Sequence, residues 1–347
     1  MKPQAQHYSA ATAGAERDAC SAIEPAGFHL RAPPPPHELG SAITPDADLF
    51  ETIHMGAAVV DPARWRLRVD GMVEHPFTLN LAQLMALPSV TVTAFHECYG
   101  SPLQPPKKAL WRVGCVRWSG VPLAQLLARA GPAAEARFVW SEGLDHGQFA
   151  GRQIDRYQKD LPLPKALAAE VLVAYALNGE PLRKERGGPV RLVVPGWFGT
   201  NMTKWLCRLS VQAQRAPGPF TTDWYNEVDA ATGVSKPVWA VEPNSMIVSP
   251  APGATVAGGA VLVRGWAWSA DGIAGVEVRS DHGGSWAAAR LAPRVDFGWQ
   301  AFESVLDLGS GSHRLSARAT CASGATQPLA GRRNHVHTVS VNCVSAA

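Results

Sequence analysis

Proline and glycine punctuate this chain so often that it must fold from short elements joined by turns, not from a helical bundle. Twenty-eight prolines and 32 glycines are spread through 347 residues, and both residue types break or end regular structure. The chain length predicts two domains, since domains usually run to about 100–200 residues. A change of texture near Pro237 marks the boundary between them.

Before that boundary, strand and short-helix patterns alternate. Trp65–Val69 alternates as a strand and runs into the turn residues Asp70-Gly71. Asn80 can cap a helix over Leu81–Leu87 that stops before Pro88. Pro122 and Gly131 bracket a second helix within Val121–Gly131. Val171–Leu177 reads as a strand entering an Asn178-Gly179 turn, and Val190–Val194 as a strand stopped by Pro195-Gly196. After Pro237, short β-like runs appear at Ala260–Arg264, Gly275–Arg279 and Ser312–Ala319, with turns such as Asp281–Gly284 between them. That pattern predicts a β-sandwich of about 100 residues. The first forty residues are Ala-rich and end in Arg31-Ala-Pro-Pro-Pro-Pro-His37, which favours an extended, loosely held arm. The expectation is therefore an α+β chain: a Pro-rich arm over 1–42, a mixed α/β domain over 43–236 and an immunoglobulin-like sandwich over 237–347.

Composition excludes several functions. A hydrophobic fraction of 46% with 18% charged residues can bury a core, so wholesale disorder is excluded. Lys and Arg number 32 against 29 Asp and Glu, too even a balance for a dedicated nucleic-acid binder. No apolar run reaches the roughly 18 residues that a transmembrane helix needs. The six cysteines contain no C-x-x-C pair, so a zinc ribbon or thioredoxin-like site has no support. The N-terminus has no apolar export segment, and the expectation is a cytoplasmic protein with reduced thiols.

Two clusters could carry chemistry. Cys98 follows the alternating run Val90–Phe95 and precedes Gly100. It therefore sits where a strand enters a loop, a position that can hold a ligand against open space. A thiolate is also a soft donor suited to a transition metal. The second cluster gathers glycines, the strand arginine Arg191 and the nearby Lys204 into a plausible anion-binding wall. Taken singly, Cys98 reads as a small buried hydrophobe, Arg191 as a structural ion-pair arginine and Lys204 as a surface lysine.

Phe95-His-Glu-Cys98-Tyr-Gly, Trp118–Leu123, Val171–Leu182, Pro189–Gly196 and Lys204-Trp-Leu206 together resemble the sulfite oxidase family of molybdenum enzymes, in that family's order. The resemblance runs from about Ile43 to Val341. It implies a molybdopterin-binding domain followed by a β-sandwich dimerisation domain, with molybdenum and molybdopterin as cofactors. It also implies that Cys98 is the metal's thiolate ligand and that His54, Asp145 and Tyr157 contact the cofactor. Arg191 and Lys204 would hold the pterin phosphate and its surroundings, with Arg186 also on the cofactor; Arg191 or Arg186 would attract the substrate anion, and Tyr225 would stand beside the metal-bound oxygen as a catalytic residue with Cys98 and Arg191. Read alone, Tyr225 is a packed aromatic in a linker.

Three departures bear on the substrate. Thr52 stands where sulfite oxidases carry a pocket arginine. Tyr99-Gly100-Ser101-Pro102 replaces the family's usual run after the cysteine. Arg186 replaces a family histidine near the Gly-rich turn. Loss of a pocket cation should weaken capture of a doubly charged anion, and Arg186 is the residue expected to restore the charge. The resemblance implies oxygen-atom transfer to a small sulfur compound such as sulfite. Electrons would pass to a separate acceptor, such as a cytochrome, because no haem-binding module is evident. A homodimer is expected through the second domain, with Trp266, Trp268, Trp286 and Trp299 supplying apolar area; the alternative is that they fill the sandwich core. Rival readings are a sulfoxide reductase of the same fold, a non-catalytic binding protein, and a cysteine hydrolase pairing Cys98 with His96 or His54.

Overall fold

The computed structural model describes residues 18–101, 112–229, 232–281 and 285–345. The first half is built on two sheets. One has five strands in the order Gln158–Pro162, Phe138–Gly143, Leu206–Gln212, Arg66–Gly71, Phe77–Asn80. The other runs Glu180–Pro181, Leu172–Leu177, Val113–Pro122, Val90–Glu97, and Arg191–Val193 also pairs with Leu172–Leu177. Fully buried Trp65, Trp118 and Trp205 belong to one apolar cluster drawn from both sheets.

Helix is scarcer than the α+β expectation. The α-helices among the described residues are Leu81–Met85, Leu123–Ala130, Leu163–Ala166 and Pro219–Thr222. The expected mixed α/β layering is corrected to a mostly β architecture. The reason is local punctuation: a proline lies at or just before the first turn of the last three helices, and Gly131 ends the second in the left-handed region at φ 66°. Asn80 caps the first helix through a reciprocal pair with Gln83, at 2.8 and 2.9 Å.

The N-terminal arm also needs correction. Residues 1–17 lie outside the described residues, but Cys20–Ala26 pairs with Gly56–Val60, and His29–Arg31 pairs with Glu51–Ile53. These strands cover the segment that carries Thr52 and His54. The proline run leads into a 3-10 turn at Pro36–Glu38.

The second half contains a four-stranded sheet (Asn244–Ser249, Gly259–Trp268, Gln300–Leu308, Arg290–Leu291). Its five-stranded companion is Thr255–Ala257, Thr338–Val344, Gly311–Cys321, Ile273–Ser280 and Ala287–Ala288. Alternate residues of both sheets, among them Val263, Phe302, Val278, Leu315 and Val341, share one apolar core. The strands outrun the sequence expectation by several residues. Of the expected 281–284 turn, only Asp281 lies within the described residues.

Three of the four tryptophans expected at a dimer surface or in the sandwich core lie in neither place. Trp266, Trp268 and Trp299 are 8, 1 and 6% exposed and pack with Phe95, Val113 and Phe198 of the first half. Their indole N–H groups donate to Leu39 O (2.7 Å), Glu97 Oε2 (2.7 Å) and Ala42 O (2.9 Å), respectively. An indole buries a large apolar area yet needs an acceptor for its N–H, and here the first half supplies one each time. Trp286 lies under the guanidinium groups of Arg279 and Arg318.

Candidate active site

Cys98 follows the last residue of the strand Val90–Glu97 and opens a tight turn. Its N–H donates to Arg112 O (2.9 Å), and Ser101 N–H returns to Cys98 O (2.9 Å). Ser101 Oγ accepts from Arg112 N–H at 2.8 Å. Two guanidinium groups clamp the turn's carbonyls: Arg112 donates to Gly100 O, while Arg333, from the sandwich, donates to Tyr99 O and Ser101 O. Arg333 also stacks over the Tyr99 and Phe198 rings. Behind the turn, burial pushes the Glu97 carboxyl up to about 7, against the Arg333 charge and the Trp268 hydrogen bond.

The remaining sequence-predicted residues converge on this turn. Cys98, Arg186, Arg191 and Tyr225 line one cavity, and Asp145 and Tyr157 line an adjoining one. His54 and Lys204 belong to both walls. His54 Nε2 lies 2.6 Å from the Tyr225 hydroxyl. Burial, followed by the charges of Lys204 and Arg112, holds the imidazole down at about 3, so it is neutral. Tyr225 has a left-handed backbone at φ 56°, and burial pushes its phenol well above the usual range. A non-glycine residue there is uncommon. The linker-packing reading of Tyr225 does not account for its contact with His54.

The cations divide by what they touch. Arg186 lies in the cavity wall, yet four of its hydrogen bonds go to Asp46 Oδ1, Asp46 O, Leu49 O and Phe50 O. Glu51 also lies 3.8 Å away. The sequence expectation that Arg186 restores a pocket charge is therefore corrected: its guanidinium is spent on holding the 46–51 segment. Arg191 donates to Arg186 O and Met202 O, and burial brings it down to about 9. Lys204 donates to Thr52 O and Glu185 O, and burial followed by the Arg191 and Arg186 charges brings it to about 7. Neither makes a carboxylate ion pair among the described residues. Thr52 Oγ1 faces Cys98 Sγ at 3.8 Å.

The sequence reading missed Arg112, Arg333 and the environment of His96. His96 stacks on Phe50 and meets Trp118 edge-on. It makes no hydrogen bond to Cys98, and His54 is engaged with Tyr225, so the Cys–His pair of a cysteine hydrolase is not formed. Arg112 follows a segment whose sequence is proline-rich and loop-like, and Arg333 lies 235 residues after Cys98; neither carries a local signal of its placement beside Cys98.

Comparison with known proteins bears on this site. The family profile for the oxidoreductase molybdopterin binding domain matches residues 54–220, and that for the Mo-co oxidoreductase dimerisation domain matches residues 235–343. The fold and site thus define a molybdopterin-binding oxidoreductase. Sulfite oxidase of Gallus gallus is 32% identical over 85% of this chain and 70% of its own length. The mitochondrial sulfite oxidase of Homo sapiens is 32% identical over 83% of the chain, but over only 57% of its own length. The crystal structure of the sulfane dehydrogenase SoxCD from Paracoccus pantotrophus superposes with a TM-score of 0.77 at 30% identity, covering 89% of this chain and 85% of that one. The chain belongs to the sulfite oxidase family, and it is a molybdenum-dependent oxidoreductase with molybdopterin as its cofactor.

The residues present fit that group. Asp145 Oδ1, Arg191 Nε and His96 Nδ1 are buried and have no hydrogen-bond partner among the described residues. Unmet buried donors and acceptors around these two adjoining cavities are the expected counterpart of a polar, anionic ligand.

Proposed function

We propose that the protein transfers an oxygen atom to a small sulfur compound, sulfite or a close relative, with Cys98 as the thiolate ligand of molybdenum. The carrying observation is that Cys98 Sγ, the His54–Tyr225 pair and the cations Arg191 and Lys204 line adjoining cavities in the first half of the chain. When bound, the molybdenum cofactor supplies two-electron redox chemistry at an oxygen-transferring centre. The protein's part is binding and orientation. Lys204 and Arg191 stand ready for the pterin phosphate, charges that burial without an anion leaves uncompensated. Asp145 and Tyr157 would contact the cofactor from the adjoining wall. Arg186 fixes the 46–51 segment that leads into Thr52 and His54.

His54 stays neutral. With its proton on Nε2 it donates to the Tyr225 oxygen, which frees the phenol O–H to bond the oxygen atom being transferred. The net change adds one oxygen from water to the substrate and releases two protons and two electrons. The electrons leave to a separate acceptor. The second half of the chain is read as an immunoglobulin-like sandwich that serves dimerisation.

Cys98→Ser tests this reading. Serine is nearly isosteric but a harder, weaker donor for a soft metal. The variant should keep the wild-type circular dichroism and lose oxygen transfer. Full turnover in Cys98→Ser would remove Cys98 from the mechanism.

A further inference from the structure

Thr52 leaves the wall beside Cys98 without the arginine expected there, and Arg186 does not replace it. The structure brings in another cation. Arg112 immediately precedes the strand Val113–Pro122 and is only 3% exposed. One terminal nitrogen lies 3.3 Å from Thr52 Oγ1, and the other donates to Gly100 O at 2.7 Å. Its Nε is buried and has no acceptor among the described residues. Its charge is felt at both His54 and Tyr225.

No described carboxylate pairs with Arg112, and the segment 102–111 that precedes it contains no Asp or Glu. A buried guanidinium with no counter-charge is costly unless a ligand supplies one. Lys204 and Arg191 also lack a carboxylate, but Lys204 lies on the Asp145 wall and Arg191 faces Arg186 and Met202. Lys204 reaches only the main-chain oxygen of Thr52, whereas Arg112 donates to the Thr52 hydroxyl, the group that faces Cys98 Sγ.

We infer that Arg112 is the specificity residue for the substrate anion: it takes over from the far side of Thr52 the charge that an arginine at position 52 would supply. The ligand class is a divalent sulfur oxyanion, drawn by the Arg112 charge to the side of the cavity where Thr52 Oγ1 faces Cys98. This inference rests on the functional reading above. The main chain of Arg112 accepts from Cys98 N–H, so its side chain is delivered to the same turn as the thiolate by backbone pairing and stays in register with it.

The test measures sulfate binding by calorimetry to molybdenum-loaded protein, together with sulfite steady-state kinetics. The proteins compared are wild type, Arg112→Gln, Arg112→Lys and the exchange variant Thr52→Arg/Arg112→Thr. One charge-assisted hydrogen bond corresponds to roughly ten- to a hundredfold in affinity. Arg112→Gln should weaken sulfate binding and raise the sulfite KM by that factor, with a smaller change in kcat and with molybdenum retained. Arg112→Lys should recover part of the loss, and the exchange variant should recover most of it. A purely structural arginine would instead lower kcat and molybdenum content while leaving sulfate affinity intact in the protein that remains loaded. Wild-type sulfate affinity in molybdenum-loaded Arg112→Gln would overturn the assignment, and so would an exchange variant no better than Arg112→Gln. Wild-type protein that binds no sulfate would overturn it too. Absence of molybdenum from the wild type would overturn the functional reading itself, which separates the two failures.

Discussion

Burial pushes the Asp145 carboxyl up to about 7 with little to offset it but its own backbone and the Lys204 charge. In the cofactor-free protein the folded state therefore holds this proton more tightly than the unfolded chain. Wild type should lose stability as pH rises from about 4 to about 7, because one pKa unit corresponds to about 1.4 kcal/mol. Asp145→Asn removes that slope. Between pH 5 and pH 7 it should gain roughly 2–3 kcal/mol relative to wild type in denaturant unfolding. Lys204, held down at about 7, titrates at the upper end of this range and feels the Asp145 charge, so the comparison is read from pH 5 to pH 7, below its midpoint. A constant difference across this range would mean that Asp145 is already solvated. Cys98, Arg191 and Lys204 are legible because they lie in strings whose neighbours build the same wall, whereas His54 enters only through the family resemblance. Arg112 was not legible, because its role depends on where its guanidinium ends after a backbone pairing with Cys98. Arg186 was misread for the same kind of reason: its charge is visible in the sequence, but its partners Asp46 and Glu51 lie about 140 residues away.

Among the short elements, the 3-10 turn Lys184–Arg186 has the most leverage on the site. It ends at Gly187 with φ 88°, and a Cβ there would lie 2.5 Å from the Lys204 Cβ. Gly187→Ala combines backbone strain with a direct push on Lys204. It should cost more than about 1 kcal/mol in stability and lower cofactor retention further than Asn80→Ala, which removes only a helix cap worth about 1 kcal/mol. Equal retention in the two variants, measured as molybdenum per chain, would show that the turn does not position Lys204. The helix cap at Asn80 and the left-handed Gly131 were readable locally, since caps depend on residues three or four apart. The strands Cys20–Ala26 and His29–Arg31 were not. Their alternation is weak, and their partners Gly56–Val60 and Glu51–Ile53 supply the pairing that makes them strands.

In the whole molecule, the second half both braces the Cys98 turn and carries the family's dimerisation domain. Trp266, Trp268 and Trp299 are committed to the junction with the first half, so they are not free to form a dimer face. On the outer face of the four-stranded sheet, Leu262 sits opposite Val305, at 38 and 60% exposed, with Arg264 opposite Glu303 beside them. An apolar pair flanked by opposite charges can complement its own copy across a two-fold axis. Val305→Asp should therefore shift sedimentation from dimer toward monomer without changing the near-ultraviolet spectrum; an unchanged dimer would place the interface elsewhere. The two-domain division and the sheet-rich texture could be read from Pro and Gly spacing, whereas the junction could not, because its hydrogen bonds join residues more than 150 apart. The central claim is that molybdenum is held at this site by the Cys98 thiolate, and X-ray absorption at the molybdenum edge tests it most directly. Protein from a molybdenum-replete host should carry near-stoichiometric metal, and Cys98→Ser should show one sulfur neighbour fewer than wild type. An identical sulfur shell in the two proteins, or wild type without molybdenum, would contradict the account.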